Sequence, residues 1–134
     1  MYNIRFGRFS DYPILQQYDE FIGDRRLDLQ AGEIVVADQT KATAVGYFRV
    51  SSGAFLGWPL LTTLCVKTDF RRRGVGDALI EHAINDERFT RLFTSTEVGN
   101  VAMRALLSKA GAQEIGHVDR LNLNNERELL FRLK

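Results

Sequence analysis

Three arginines and two glycines share one short segment just past the middle of the chain. The segment reads Arg71-Arg72-Arg73-Gly74-Val75-Gly76 and follows an apolar, strand-like run at 60–66. After the glycines, apolar residues recur at helical spacing, so the segment lies where a helix begins. Unpaired N–H groups and the helix dipole attract anions at such a start, and arginine adds fixed positive charge. The segment therefore predicts a phosphate site, with a pyrophosphate as the favoured ligand.

Other interpretations of the glycines fit less well. An ordinary strand-to-helix turn would also use glycine, but three like charges in one loop repel each other unless they are solvated or face anions. The nucleoside-triphosphate motif GxxxxGK[ST] is absent. A dinucleotide fingerprint needs a third glycine where Leu79 stands, and a tight turn where seven residues separate Val66 from Gly74. We therefore reject the dinucleotide interpretation.

The rest of the chain supplies the elements that would position this loop. Strands are predicted at 2–6, 33–37, 43–50, 60–66, 91–96, 114–118 and 128–133. Helices are predicted in three places: around Pro13 with Ser10 or Asp11 as the cap, after Gly74, and from Asn100 to Gly111. Residues 24–30 form a short helix or a loop, and residues 51–59 are expected to form a loop. This order predicts an α+β fold with at least one right-handed crossover.

Composition sets the broad class of protein. The chain has 134 residues, 45% of them hydrophobic, and a formal net charge of +1. We therefore expect a single domain over 1–134 and no general affinity for nucleic acid or membranes. The one cysteine, Cys65, lies in an apolar run, which favours a reducing, cytoplasmic location. No export leader or membrane-spanning run is apparent.

Two motifs together resemble a known family. Arg71-x-x-Gly74-x-Gly76 between a strand and an amphipathic helix resembles the acetyl-CoA-binding motif of the GCN5-related N-acetyltransferases (GNAT). The second motif is Asn100 at the start of a helix that ends in Lys109-Ala110-Gly111. The resemblance covers essentially the whole chain. It implies a mixed, mostly antiparallel sheet flanked by helices, with a splayed central pair of strands.

The resemblance also implies a reaction and a set of site residues. It implies transfer of an acetyl group from acetyl-CoA, as co-substrate and without a metal, to a primary amine by direct attack in a ternary complex. Backbone groups of Leu64, Cys65 and Val66 would contact the pantetheine and the acetyl carbonyl. Asn100 would contact the pantetheine arm. The pyrophosphate would be held by the loop residues Arg71, Arg72, Arg73, Gly74, Val75, Gly76 and Asp77.

The catalytic acid and base are less well defined. Family members often have a tyrosine acid seven residues after the asparagine, where this chain has Leu107. A carboxylate base on the central strand would fall near Leu60, so Glu97 is the tentative base, with a water relay as the rival. Cys65 is interpreted as a small core residue because direct attack needs no nucleophilic side chain. His82 and His117 have no neighbouring ligands that would make a metal site.

The acceptor and the activity itself stay open. Acceptor contacts are expected from residues 18–30, where Glu20, Asp24 and Asp28 could attract an amine, and from residues 51–59. Protein N-termini, lysine, polyamines, amino sugars and small metabolites all fit this pattern, and a homodimer is allowed. A non-catalytic acyl-CoA-binding or regulatory module is the alternative function, because Leu107 replaces the tyrosine. A small interaction protein whose arginines are merely solvated is a third.

Overall fold

The computed structural model describes residues 1–134 and contains seven strands and four α-helices. The strands are β1 (Tyr2–Phe6), β2 (Ile34–Gln39), β3 (Ala42–Phe55), β4 (Trp58–Val66), β5 (Phe93–Glu97), β6 (Gln113–Val118) and β7 (Glu128–Arg132). The helices are α1 (Tyr12–Tyr18), α2 (Arg26–Gln30), α3 (Val75–Asn85) and α4 (Val101–Lys109). The predicted order of elements is therefore confirmed.

The strands form a mixed sheet in the order β1-β2-β3-β4-β5-β7-β6. The pairs β1–β2, β2–β3, β5–β7 and β6–β7 are antiparallel, whereas β4 and β5 run parallel. The β4–β5 register consists of Leu60 opposite Phe93 and Leu61 opposite Thr94, two of the nine residues of β4. This short pairing suits a central pair of strands that splay apart. The predicted α+β class, with a mostly antiparallel sheet flanked by helices, is confirmed.

The chain divides into two compact units. The first unit consists of Met1–Val50 and Thr63–Ala83, and the second consists of Ser51–Thr62 and Ile84–Lys134. Each unit therefore contains two separate pieces of sequence. The prediction of one domain over 1–134 stays a prediction.

The core of the first unit is built by α1 and α2 against β2 and β3. Leu15 and Leu29 from the helices pack with Ile34, Val36 and Tyr47 from the strands, and all are at most 5% exposed. Ile14 and Tyr18, which helical spacing also places on the inner face, are partly buried against this cluster. The apolar stripe predicted for α1 thus forms the packed face.

Arg5 on β1 forms ion pairs with two aspartates of the first unit, Asp11 and Asp38. The guanidinium of Arg5 donates two hydrogen bonds to Asp11, at 2.8 and 2.9 Å, and two to Asp38, at 2.7 and 3.2 Å. Asp11 also accepts from the Arg8 amide at 2.7 Å, and it is only 2% exposed. Asp11 occupies the residue before α1, as expected of a cap, but its carboxylate makes no capping bond to α1. Arg5 takes both of its oxygens instead.

The second unit has its own core. Leu92, Phe93 and Leu107 lie among its buried residues, together with Leu129 and Phe131 from β7. Strand β5 pairs with β7 along all five of its residues. The buried Thr94 hydroxyl donates a 2.8 Å hydrogen bond to the Leu61 carbonyl, which fastens β5 to the start of β4.

The segment 51–59 corrects one sequence prediction. A loop was expected there, but β3 continues to Phe55 and β4 begins at Trp58. Only Leu56 and Gly57 lie between the strands, and both have positive φ, 52° and 95°. Glycine adopts a positive φ with little strain, so Gly57 favours this tight turn. In the sequence alone, the glycines at 53 and 57 indicate an open loop. Phe55 packs its ring 4.7 Å from the ring of Phe93.

None of the helices combines the length and the apolar composition needed to cross a lipid bilayer.

Candidate active site

The loop before α3 bends sharply at two positions. Arg72 has φ of 61° and Gly74 has φ of 82°, both in the left-handed region. Bends of this kind can turn backbone N–H groups toward a concavity that binds anions. Glycine accepts this conformation freely, but arginine does so at a cost of about 1–2 kcal/mol. The residues from Arg71 to Gly74 are exposed, so this loop is open to a ligand.

Helix α3 begins directly after this loop. Its first intrahelical hydrogen bond runs from the Ala78 amide to the Gly74 carbonyl at 3.0 Å. The amides of Val75 and Gly76 precede that bond, at the end where helix N–H groups lack acceptors within the helix. Val75 is 1% exposed and anchors this end in the core. The loop and the helix start therefore form an exposed cradle on a fixed base, and its N–H groups suit an anion.

Gly46 of β3 determines how closely α3 approaches the sheet. A Cβ atom at Gly46 would lie 2.8 Å from Cγ1 of Val75 and 3.3 Å from both Cδ1 of Leu79 and the Cys65 carbonyl. A real Cβ essentially never approaches another heavy atom as closely as 2.8 Å. The missing side chain at this position thus lets the helix start settle against the strands.

Side chains also tie the loop to neighbouring strands. The Arg71 Nε donates to the Val66 carbonyl at 3.1 Å, so this arginine folds back onto the end of β4. The Tyr2 hydroxyl donates to the Arg73 carbonyl at 2.7 Å. The Arg73 guanidinium lies 5.4 Å from the centre of the Phe70 ring. These contacts bring Arg71 and Val66, two of the predicted site residues, together.

Cys65 is half-buried beside the core of the first unit. Burial and the charge of Asp19 raise the pKa of its thiol to about 11, against a smaller opposing effect of Arg71. The thiol form therefore dominates at neutral pH, and a thiol is a poor nucleophile. This supports the interpretation of Cys65 as a packing residue.

A cavity of about 130 Å³ lies in the first unit. Its charged and polar lining residues are Asp19, Arg25, Tyr47, Arg49 and Thr63, and Phe21 and Ile22 complete the wall. Thr63 belongs to β4 and precedes Cys65 by two residues, so the two side chains point to the same face of the strand. The cavity thus lies beside the stretch of β4 expected to contact the acetyl group.

Asp19 is held in place by two donors. The Tyr47 hydroxyl donates to its Oδ2, and the Phe21 amide donates to its Oδ1 at 3.1 Å. Burial and the hydrogen bond to Asp19 raise the pKa of Tyr47, so the phenol keeps its proton and acts as the donor. Each carboxylate oxygen has lone pairs left for a further donor. Asp19 can therefore bind an amino group in the cavity.

Two arginines lie in the same cavity. Arg25 uses Nε to bind the Ile22 carbonyl at 2.9 Å and Nη1 to bind Asp28 at 3.2 Å. The Nη2 group of Arg25 takes part in neither contact. Arg49 lies 3.6 Å from Asp28 and 3.7 Å from Glu33, longer than a direct charge-assisted hydrogen bond. Burial, with the charge of Asp28, raises the pKa of Glu33, although Arg49 opposes the rise.

Comparison with known proteins decides the family. Residues 1–112 match the family profile described as "Acetyltransferase (GNAT) family". The chain belongs to the GNAT acetyltransferase family. A search of curated proteins found no match.

Solved GNAT structures share the fold. A GNAT-family acetyltransferase from Bacillus cereus is 21% identical, with TM-score 0.88 and coverage of 100% of this chain and 97% of that one. The ribosomal-protein-alanine N-acetyltransferase of Brucella melitensis is 22% identical, with TM-score 0.79 and coverage of 97% and 98%. YncA of Salmonella typhimurium, solved with acetyl-CoA, is 15% identical, with TM-score 0.79 and coverage of 99% and 93%.

The second unit of this GNAT chain contains the other predicted site residues. Asn100 caps α4, because its side chain accepts from the Met103 amide at 3.1 Å. Gly111 ends the helix with φ of 78°, as predicted. Leu107 is fully buried, so it is a core residue in the place of the family's tyrosine. Glu97, half-buried at the end of β5, accepts a 3.3 Å hydrogen bond from Asn124.

The two histidines and Asp24 do not line the cavity of the first unit, whereas Asp28 pairs with two of its arginines, Arg25 and Arg49. His82 is exposed on α3, with its ring 6.4 Å from that of Phe48, and His117 lies on β6 with Asp119 at 3.9 Å. Asp24 pairs with Arg26 at the surface at 2.7 Å.

Sequence reasoning missed the contact between Asp19 and Tyr47, which are 28 residues apart. Tyr47 lies in an apolar strand, and a buried phenol needs a hydrogen-bond partner, so the sequence could have indicated a polar residue packed against it.

Proposed function

We propose that the protein is an acetyl-CoA-dependent N-acetyltransferase that acetylates a primary amine by direct attack in a ternary complex. The observation that carries this proposal is the cradle of Arg72, Gly74 and the α3 start, which lies in one compact unit with the end of β4 and the cavity. The cradle suits a pyrophosphate because it combines backbone donors, fixed positive charge and an exposed surface. Solved relatives with CoA or acetyl-CoA bound support the choice of donor.

Each predicted donor contact has a proposed role. The loop residues Arg71, Arg72 and Arg73, with the amides of Gly74 through Asp77, would bind the pyrophosphate. Backbone groups of Leu64, Cys65 and Val66 would align the acetyl carbonyl, and a backbone N–H held there would stabilise the developing oxyanion. The oxygen of the Asn100 side chain already caps α4, so a contact from Asn100 to the pantetheine arm would use its Nδ2.

Acetyl-CoA supplies the thioester carbonyl in this scheme. The amine loses a proton and its nitrogen attacks the carbonyl carbon. The C–S bond then breaks, the acetyl group remains on nitrogen, and the sulfur leaves with the electron pair as a thiolate. The nitrogen gives up a second proton to form the neutral amide, and the thiolate takes up a proton from solvent to become the thiol. A thiol has a pKa near 8.5, so the thiolate can leave without the tyrosine acid that Leu107 replaces.

The base has two candidates among the side chains. Glu97 is the candidate from the sequence, and its hydrogen bond from Asn124 would orient it. Asp19 is the second candidate, because it lines the cavity and its charge reaches Cys65. Glu97→Gln and Asp19→Asn, compared by kcat across pH, separate them: the true base is the one whose amide variant loses the ascending limb of the profile. If both variants keep it, a water relay carries the proton.

Gly76→Glu tests the donor site. A glutamate is favourable in the first turn of a helix, so the variant should fold normally. A carboxylate beside the pyrophosphate repels it, so we expect calorimetry to show CoA affinity reduced at least about tenfold. Gly116→Glu is the matched control, because a new Cβ at Gly116 meets nothing within 4 Å and adds the same charge on β6. Unchanged CoA affinity in Gly76→Glu would place the pyrophosphate elsewhere.

A non-catalytic acyl-CoA-binding module is the second candidate function. The burial of Leu107 favours it, because no hydroxyl takes the place of the usual acid on α4. Release of free CoA thiol from acetyl-CoA across a panel of amines separates the two functions. Tight CoA binding without thiol release above the uncatalysed rate would establish the module and exclude the enzyme.

A further inference from the structure

The cavity beside β4 presents opposite charges to a single ligand. One side chain, Asp19, is an acid with lone pairs available, and two others, Arg25 and Arg49, are guanidinium cations. Apolar contact comes only from Phe21 and Ile22, so a purely hydrophobic ligand would leave three charged groups facing it. A polar ligand can use the lone pairs left on Asp19 and the Nη2 group of Arg25, whereas an apolar ligand would cover both groups without bonding to them.

We infer that this cavity is the acceptor site and that the acceptor is a small primary amine that also carries a carboxylate. In this arrangement Asp19 binds the amino group, and the guanidinium of Arg25, with Arg49 behind it, binds the carboxylate. This inference rests on the acetyl transfer proposed above and specifies its substrate class.

The geometry orients such a ligand. Asp19 is hydrogen-bonded to Tyr47 of β3, the neighbour of β4 in the sheet, and Thr63 of β4 lines the same cavity. An amino group at Asp19 therefore lies toward the residues expected to align the acetyl carbonyl. The Nη2 group of Arg25, left over from the contacts to Ile22 and Asp28, supplies the donors for the carboxylate.

The neighbouring acids limit how strongly the cavity attracts anions. Asp28 is shared between Arg25 and Arg49, and Glu33 faces Arg49. These acids hold the two guanidiniums side by side and partly neutralise them. With Asp19, three acids and two arginines lie in and around the cavity, so a polyanion is disfavoured. A zwitterion places its amino group at Asp19 and its carboxylate at Arg25, where the second cation of a diamine would face a guanidinium.

The volume of the cavity suits a small ligand. A cavity of about 150 Å³ holds a six-carbon ring, so about 130 Å³ accommodates roughly six to eight non-hydrogen atoms. Short amino acids such as β-alanine and γ-aminobutyrate are of this size. A polypeptide N-terminus could present the same chemistry through an acidic first residue, which makes it the comparison to exclude.

Matched amines test the inference. Initial rates of acetyl transfer are compared for β-alanine and 3-aminopropan-1-ol, and for γ-aminobutyrate, 4-aminobutan-1-ol and 1,4-diaminobutane. We expect kcat/KM to favour each carboxylate over its alcohol by at least about tenfold, the effect of one charge-assisted hydrogen bond. A ratio near one, or a preference for the diamine, would overturn the inference, while acetylation of the alcohols would still establish the acetyltransferase.

Variants of Arg25 supply the control. In Arg25→Gln the ratio between carboxylate and alcohol should fall to near one, whereas Arg25→Lys should retain part of it because the charge persists. The ratio is measured within each variant, so a difference in folded fraction cancels. An unchanged ratio in Arg25→Gln would remove Arg25 from the carboxylate site and overturn the inference.

A binding measurement separates the substrate class from the reaction. Calorimetry with the CoA complex compares N-acetyl-β-alanine with N-acetyl-3-aminopropan-1-ol, and preference for the acid supports the ligand class even if no amine is acetylated. In that case the proposed reaction fails and the ligand class stands. A glutamyl peptide amide forms the last arm, and higher kcat/KM for it than for β-alanine would overturn the small-molecule assignment.

Discussion

Gly46→Ala tests whether close packing of α3 on β3 sets both the stability of the first unit and its affinity for CoA. Gly46 lies in the paired part of β3 and does not have positive φ, so alanine suits its backbone. Space is the only obstacle. The new Cβ would lie 2.8 Å from Cγ1 of Val75, a side chain that is β-branched, 1% exposed and stiff.

The magnitude follows from two opposing effects. Overpacking of a core by one methyl group costs about 1–3 kcal/mol. Replacing glycine by alanine in a strand returns roughly 0.5–1 kcal/mol, because the unfolded chain loses freedom. We therefore expect Gly46→Ala to lower the free energy of unfolding by about 1–2 kcal/mol, with a fall in Tm of about 3–5 °C for each kcal/mol.

Two assays measure the effects of Gly46→Ala on stability and on CoA affinity, and one variant serves as the control. Urea unfolding gives the stability, and calorimetry with CoA gives the affinity, which should fall several-fold because the start of α3 is displaced. Gly116→Ala is the control, since its Cβ meets nothing within 4 Å, and it should be neutral or slightly stabilising. Equal stability of Gly46→Ala and Gly116→Ala would refute the packing argument. Lost stability with unchanged CoA affinity would refute the link to the donor site.

Three further predictions concern single side chains. Cys65→Ala should leave kcat within about twofold. In the native protein the Cys65 thiol should react slowly with iodoacetamide at pH 7.5, because the pKa of this thiol is about 11. Loss of turnover in Cys65→Ala would show a catalytic role for the thiol. Leu107→Tyr should lower the free energy of unfolding by about 1–3 kcal/mol without raising kcat, because residue 107 is fully buried; a rise in kcat would contradict this. Burial alone would raise the pKa of Asp11, but hydrogen bonds from Arg5 and the Arg8 amide lower it overall. The ionised Asp11 carboxylate therefore stabilises the fold above about pH 4, and this stabilisation is lost as pH falls further. Asp11→Asn should therefore be destabilised by about 3 kcal/mol at pH 7 and should show a flatter acid limb in urea unfolding; an unchanged acid limb would contradict the assignment.

Features with local causes could be predicted from the sequence. Helix ends depend on residues within one or two turns, which are close together in the sequence. The sequence therefore predicts the Asn100 cap, the end of α4 at Gly111 and the start of α3. The turn at residues 56 and 57 was missed because two glycines and a proline nearby imitate an open loop. In β3 and β4, apolar and polar residues do not alternate regularly enough near this turn for the sequence to show where the strands end.

The cavity could not be predicted because its residues meet only after folding. Asp19 ends α1, Arg25 precedes α2, and Tyr47 and Thr63 come from two strands. No spacing rule connects positions 28 residues apart, and Asp19 by itself resembles an ordinary solvated acid at a helix end. The donor motif, by contrast, occupies consecutive residues and is therefore visible in the sequence.

The division of the first unit into two pieces of sequence has a consequence for synthesis on the ribosome. Met1–Val50 emerges first, but the unit also needs Thr63–Ala83, which follows the turn at residues 56 and 57. Val75 and Leu79, the side chains that cover Gly46, belong to this second piece. A nascent chain stopped before residue 75 would lack the side chains that cover Gly46 on β3. Helix α3 contributes to the core of the first unit and begins at the cradle, so this unit forms its core and its proposed donor site together.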